Sequence, residues 1–143
     1  MKLKTLIATA LLGAVVSAPA LAHDYVAEVN QHRQTLETQQ QHIADIACKE
    51  GKMDLCAVSS SMRVAAKLLA TLPADASNHE LLERLELVDD VFIPATDEYA
   101  LKGQFEGLNN VETNEANAAL TEAIHASGHL MKIMASIMKS EGK

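Results

Sequence analysis

The sequence predicts an all-α protein, a four-helix bundle of up-down-up-down order with a disulfide-stapled first hairpin and a kinked third helix. Three observations predict this class. Four segments carry apolar residues at helical spacing, and short connections join them. Only 3% of the residues are aromatic and none is Trp, whereas sheets favour aromatic and β-branched side chains. We expect one domain, residues 23–143, which is long enough to bury its own core.

The first 22 residues, Met1–Ala22, form a separate unit. Lys2 and Lys4 precede an apolar run over residues 6–16, and a tail of small residues ends at Ala22. This order is typical of a secretory signal peptide, and the run is shorter than the roughly 20 residues that a membrane-spanning helix needs. We therefore expect cleavage after Ala22 and an exported protein, periplasmic or secreted, with no membrane span in the mature chain.

The charge of the chain excludes several classes of function. It has 12 basic and 19 acidic residues, which give a formal net charge of −7. Such a chain repels the phosphate backbone of nucleic acids and anionic lipid surfaces.

The sequence contains no serine-protease order of residues, no Gly-rich phosphate loop and no pair of di-iron motifs. We therefore do not expect an enzyme.

The first helix is predicted over about residues 24–50. Val29, Leu36 and Ile43 recur every seven residues and form an apolar stripe. Gly51 follows the stripe, at the position where a glycine commonly ends a helix. The stripe is thin, so this helix is expected to be more polar than the others.

The second helix is predicted over about residues 53–72, and Pro73 closes it. Cys48 ends the first helix and Cys56 lies in the first turn of the second. Two cysteines in an exported chain favour a disulfide, and this one would staple the hairpin. The expected buried face of the second helix consists of Leu55, Val58, Met62, Ala65, Ala66 and Leu69.

The third helix begins at a local signal, the capping box Ser77 to Glu80. Pro94 interrupts the following apolar pattern and is expected to kink or break the helix after Ile93. A helix can resume over residues 96–106. The expected buried face consists of Leu81, Leu82, Leu85, Val88 and Phe92.

The fourth helix is predicted over about residues 111–140. Beside the main apolar face of this helix, Leu130, Ile133 and Ile137 widen the apolar surface. This helix is therefore either central in the bundle or in contact with a partner, such as a second copy of the chain. Its main apolar face is expected to contain Leu120, Ile124, Met131, Met134 and Met138, with Ala116 and Ala123 at its flank.

The first candidate metal ligands are His125 and His129. Their i, i+4 spacing places two imidazoles on one face of a helix, one turn apart. That geometry suits two ligands of one ion. The pair lies roughly opposite Ile124 and Met131, so two solvated histidines are the alternative interpretation.

His32 and Met131 are further candidates. His32 lies on the inner stripe of the first helix, and a buried histidine needs a partner, for which Gln40, Asp89 or a metal ion are available. Met131 begins a methionine stripe, and thioethers are soft ligands for Cu(I) and haem iron. Ordinary core packing is the alternative role for those methionines.

His23 becomes the first residue of the mature chain if cleavage follows Ala22. Its amine and imidazole can then chelate Cu(II), which resembles the histidine brace of exported copper enzymes and copper carriers. The predicted bundle is also similar in fold to exported b-type haem proteins, and this resemblance implies haem as an alternative cofactor.

Two hypotheses for function remain open. In the first, an exported bundle binds a transition metal, with copper favoured, or haem through His125, His129, His32, His23 and Met131. In the second, the protein is a cofactor-free helical interaction protein of the periplasm, such as a chaperone or stress-response protein, whose partner is another exported protein.

Overall fold

The computed structural model describes residues 24–92 and 106–142. In these ranges the regular structure consists of four α-helices and one π-helical segment, with no strand. We number the α-helices in chain order, and the π-helical segment Ala44–Cys48 continues directly from α1. Their bounds are α1 Tyr25–Ile43, α2 Met53–Ala70, α3 Asn78–Phe92 and α4 Asn110–Ser140. The all-α class and the four helices are therefore confirmed.

Some predictions concern residues outside the described ranges. These are the signal peptide Met1–Ala22, the terminal histidine His23, the kink at Pro94 and the helix over residues 96–106. The side chain of Phe92 also lies outside the part of the chain that the structure describes. The kink and the up-down-up-down order therefore stay predictions. No helix among the described residues combines the length and the apolar character that crossing a membrane requires.

A glycine with positive φ and a pair of cysteines at disulfide distance define the turn between α1 and α2. Gly51 adopts a left-handed conformation with φ of 71°, and the Lys52 N–H donates a hydrogen bond to the Ala47 carbonyl over 2.8 Å. This is the bond of a Schellman motif, in which glycine at the reversal avoids a clash of Cβ. The Sγ atoms of Cys48 and Cys56 lie at disulfide distance, as predicted for the first hairpin.

Side chains cap the starts of α3 and α4. The Ser77 N–H donates to the Glu80 carboxylate over 2.9 Å, and the Glu80 N–H donates to the Ser77 hydroxyl over 3.2 Å. This reciprocal pair is the predicted capping box. At α4, the Asn109 side chain accepts from the Glu112 N–H over 2.9 Å. Each cap satisfies backbone donors that the first helical turn leaves unpaired.

The buried apolar side chains of all four helices form one cluster. The faces predicted for α1 and α2 contribute to it, as do the predicted positions of α3 whose side chains are described. Leucine and alanine are the commonest residues of the cluster, with seven of each, and one methionine of α2, Met62, is fully buried in it. The largest fully buried side chains are Leu36, Ile43, Leu55, Met62, Leu69, Leu81, Leu85, Leu130 and Ile137.

The predicted buried face of α4 is wrong in one respect. Ile124 is 41% exposed, and the methionines Met131, Met134 and Met138 are only partly buried at the flank of the core. Small side chains fill the N-terminal half of the true face, and their hydropathy signal is weak beside that of isoleucine or methionine. The buried residues of α4 are Ala116, Ala119, Ala123, Ala126, Ser127, Leu130, Ile133 and Ile137.

Helices α1 and α4 pack against each other. His32, in the first half of α1, lies against His129, in the second half of α4. Asp45, just beyond α1, lines a common surface with Glu115, near the start of α4. The two helices therefore run in opposite directions, and polar residues at the edge of this contact form the sites described next.

Candidate metal centre

A cleft of about 220 Å³ lies between α1 and α4. We call it the histidine cleft, because one histidine from each helix lines it. His129 and Lys132 are exposed, so the cleft is accessible to solvent. Its lining consists of Tyr25, Glu28, His32, His129, Lys132, Ile133 and Ser136.

Helical spacing explains why these residues meet. Tyr25, Glu28 and His32 are separated by three and four positions along α1, and residues at this spacing share one face of a helix. On α4, Lys132 follows His129 by three residues and Ser136 follows Lys132 by four. Each helix therefore turns a short polar row toward the other at the edge of the core.

The rings of His32 and His129 are stacked. Their centroids are 4.9 Å apart and their planes differ by 9°. The lone pair of an imidazole lies in the plane of its ring, so two parallel rings do not point their nitrogens at one position. Rotation about χ2 is needed before both can bind the same ion, and the torsional wells for this bond are broad.

The surroundings of His32 lower its pKa and so favour the neutral imidazole. Desolvation by burial is the largest cause that lowers its pKa below 6.5, and the charge of a protonated His129 lowers it further. The carboxylate of Glu28 acts in the opposite direction and raises this pKa. A neutral imidazole has a free lone pair, which is the form that a metal ion requires.

The structure brings together two of the predicted ligands, His32 and His129, and not the others. His125 is exposed one turn before His129, and it does not contribute to the described lining of the histidine cleft. Met131 follows His129 by two residues, which is about 200° around a helix, and packs against the core. His23 lies outside the described residues.

No preformed metal cage is present in the described ranges. Within residues 24–92 and 106–142, no three His, Cys, Asp or Glu side chains are grouped so that they could hold a metal ion. The histidine pair is therefore a two-donor arrangement. Any further ligand comes from solvent or from a side chain that moves when the ion binds.

Sequence reasoning missed the neighbours of the histidine pair. Glu28 and Tyr25 on α1, and Lys132 and Ser136 on α4, all line the histidine cleft. A signal for Glu28 was present in the sequence, since it precedes His32 by four residues and the two must share a helix face. Nothing local indicated that this face meets the face of His129.

A second cleft, of about 530 Å³, lies farther along the contact between α1 and α4. Its lining includes three carboxylates, one histidine and two alanines. The His42 side chain is exposed. The lining consists of Gln39, His42, Asp45, Ile46, Glu115, Ala118, Ala119 and Glu122.

Comparisons with known proteins add no identification. No protein-family model, no curated protein and no solved structure matches this chain. A function must therefore be inferred from its own residues.

Proposed function

We propose that this protein is a small exported, periplasmic bundle that binds a late transition metal, with copper favoured. The observation that carries the proposal is the stacked pair of His32 and His129 in a solvent-accessible cleft. Imidazole is a common ligand for copper, zinc and nickel, and the order of affinities for divalent ions at such sites peaks at Cu(II). The signal-like pattern of Met1–Ala22 supports export.

The placement of the two histidines on separate helices supports a binding role. In the up-down-up-down order that we propose, α1 and α4 are antiparallel neighbours, and an ion held by His32 and His129 joins the first and the last helix of the bundle. The lowered pKa of His32 leaves its lone pair available near neutral pH. Two imidazole donors are thus close together, one on each helix.

An ion fits the histidine cleft better than haem does. Small-molecule and cofactor sites have volumes of roughly 300–1,000 Å³, whereas this cleft measures about 220 Å³. Two axial ligands of a haem lie on opposite faces of the macrocycle, but His32 and His129 lie face to face with no space for a ring between them.

The alternative of an interaction protein has lost its main support. It was motivated by the wide apolar surface of α4, and Leu130, Ile133 and Ile137 in that surface are buried in the core. We therefore carry metal binding forward alone.

Titration of the metal-free full chain with Cu(II) tests the proposal. The protein is treated with a chelator and titrated in competition with a chromophoric ligand of known affinity. We expect one ion per chain, and we expect His32→Ala and His129→Ala each to weaken binding by about tenfold or more. Loss of a direct ligand should cost at least as much as loss of its supporting partner.

A third histidine provides the matched control. His79 is exposed on α3 and pairs with Glu83 over 2.7 Å, far in sequence from the histidine cleft, so His79→Ala should bind as the wild type does. His23→Ala in the same series tests the terminal histidine. A wild type that binds no copper, or His32 and His129 variants that bind it unchanged, would refute the proposal.

A further inference from the structure

We propose that the methionine stripe of α4, which consists of Met131, Met134 and Met138, is a separate thioether site for Cu(I). This inference rests on the proposed function in one respect, the choice of copper as the metal of an exported protein. It goes beyond that function because it assigns a second site, another oxidation state and another donor atom.

Helical spacing places the three thioethers beside one another. The methionines are separated by three and four positions on α4, and residues at these spacings are neighbours on the surface of a helix. At about 100° per residue, the three lie within roughly 60° of arc. Long side chains of a helix lean toward the preceding turn, so Met138 leans toward Met134, and Met134 toward Met131. Each methionine has three rotatable bonds, and side-chain rotation alone can bring the sulfur atoms to one small ion.

The burial of the stripe differs from that of a methionine that only fills the core. Met62 on α2 is fully buried, whereas the three methionines of α4 are partly buried at the flank of the core. Ile124, seven residues before Met131, is 41% exposed. A Cβ at Gly128, three residues before Met131, would meet no atom within 4 Å. The side chains of the stripe therefore pack on the core while the surface beside them stays open to an ion.

Donor chemistry decides which ion suits the stripe. Three of the six methionines of the chain lie within residues 131–138, so soft sulfur donors are concentrated in two turns of one helix. Thioether sulfur is a soft ligand that selects Cu(I), whereas divalent ions prefer nitrogen and oxygen donors. A thioether also has no proton to lose before it binds a metal, unlike an imidazole. Binding at the stripe should therefore be independent of pH.

The stripe and the histidine cleft lie on different sides of α4. Met131 follows His129 by two residues, which is about 200° around the helix, and the described lining of the cleft contains no sulfur. Each site can therefore be removed without the other.

The test measures Cu(I) binding by the full chain without oxygen, in competition with a chromophoric Cu(I) chelator. Leucine has nearly the volume of methionine, so Met134→Leu removes the middle sulfur and keeps the packing. We expect this variant to weaken Cu(I) binding by about tenfold or more, since loss of a direct ligand should cost at least as much as loss of a supporting group. Met53 is 72% exposed on α2, and Met53→Leu, the matched control, should bind as the wild type does. Circular dichroism checks that both variants fold.

Two further readouts distinguish a thioether site from a packing role. The X-ray absorption spectrum of bound Cu(I) should contain sulfur scatterers in the wild type and fewer of them in Met134→Leu. The Cu(I) affinity of the wild type should stay constant between about pH 5 and pH 7, whereas binding by histidines weakens as they gain protons.

The outcomes distinguish this inference from the proposed function. If the wild type binds no Cu(I), or if Met134→Leu binds it unchanged, the thioether site is refuted, and the Cu(II) titration of the His32 and His129 variants decides the proposed function by itself. Loss of Cu(I) from Met134→Leu, with wild-type Cu(I) binding in His32→Ala and His129→Ala, would support the stripe whatever the outcome with Cu(II). Loss of Cu(I) from all three variants would mean that histidine and methionine share one ion, and would refute a separate site.

Discussion

His32 shows how one residue can couple stability to pH. Its pKa in the folded protein is lowered below 6.5, first by burial and then by the facing charge of His129, against the opposing effect of Glu28. Lys132 adds a further cation to the same cleft. In the window between 6.5 and the lowered value, the unfolded chain binds the proton more readily than the folded one. The stability from this residue is therefore complete above pH 6.5 and falls as the pH decreases through that window.

The pH dependence of unfolding tests this behaviour. In the presence of a chelator, we expect the wild-type free energy of unfolding to decrease below about pH 6.5, and we expect His32→Gln to flatten this decrease. His79→Gln changes an exposed histidine and should keep the wild-type slope. A His32→Gln variant with the slope of the wild type would contradict the role assigned to His32. The measurement is urea denaturation followed by circular dichroism between pH 5 and pH 8.

Lys132 is expected to oppose the metal ion. Its ammonium group lines the same cleft as the two histidines, so it repels a divalent cation bound there. We expect Lys132→Gln to tighten Cu(II) binding by about threefold or more in low salt, with a smaller gain in high salt because ions screen the repulsion. Lys139→Gln, in the last turn of α4, is the control and should have little effect. Equal affinities for the two variants would show that Lys132 does not act on the site.

At the scale of elements, two glycines have opposite roles. Gly51 ends the first hairpin turn at φ of 71°, and a Cβ there would meet no atom within 4 Å, so the backbone conformation alone requires glycine. Gly128 lies inside α4, where a Cβ would also meet open space. Its backbone is helical, and glycine is a poor helix former. The same substitution should therefore destabilise one element and stabilise the other.

Alanine at the two positions tests this contrast. We expect Gly51→Ala to lower the free energy of unfolding by about 1–2 kcal/mol, because it forces a Cβ into the left-handed region. We expect Gly128→Ala to raise it by about 0.5–1 kcal/mol through helix propensity. Urea denaturation at one pH measures both. A stabilising Gly51→Ala would mean that the turn relaxes to another conformation at little cost.

The difference between local features and contacts between helices explains which parts of the fold and of the candidate site the sequence could predict. Helix ends follow local rules, and the capping box at Ser77 and the turn at Gly51 lie where the sequence predicts them. The buried face of α4 depends on alanines whose apolar signal is weak, so its orientation was partly misjudged. The meeting of His32 with His129 depends on which helices become neighbours and in which register. No short-range pattern carries that information, and only the separate helix faces of the two histidines were predictable.

For the whole molecule, the histidine cleft lies at the edge of the core and shares Ile133 with it. The fully buried side chains come from all four helices, whereas the cleft is lined by residues of α1 and α4 alone. Met62 on α2 is fully buried and does not line the cleft. Stability and metal affinity should therefore respond to different substitutions. A metal ion that binds only the folded chain must nevertheless add to its stability.

A two-by-two experiment checks this separation. An ion that binds only the folded chain stabilises it by about 2.7 kcal/mol when its free concentration is 100 times the dissociation constant. We expect Met62→Ala to lower the free energy of unfolding by about 2–5 kcal/mol and still to gain this increment from Cu(II). His129→Ala should unfold much like the metal-free wild type and gain almost nothing. If Met62→Ala also loses the increment, the site depends on the packing of the whole bundle, and the stacked histidines are part of the core rather than a cleft at its edge.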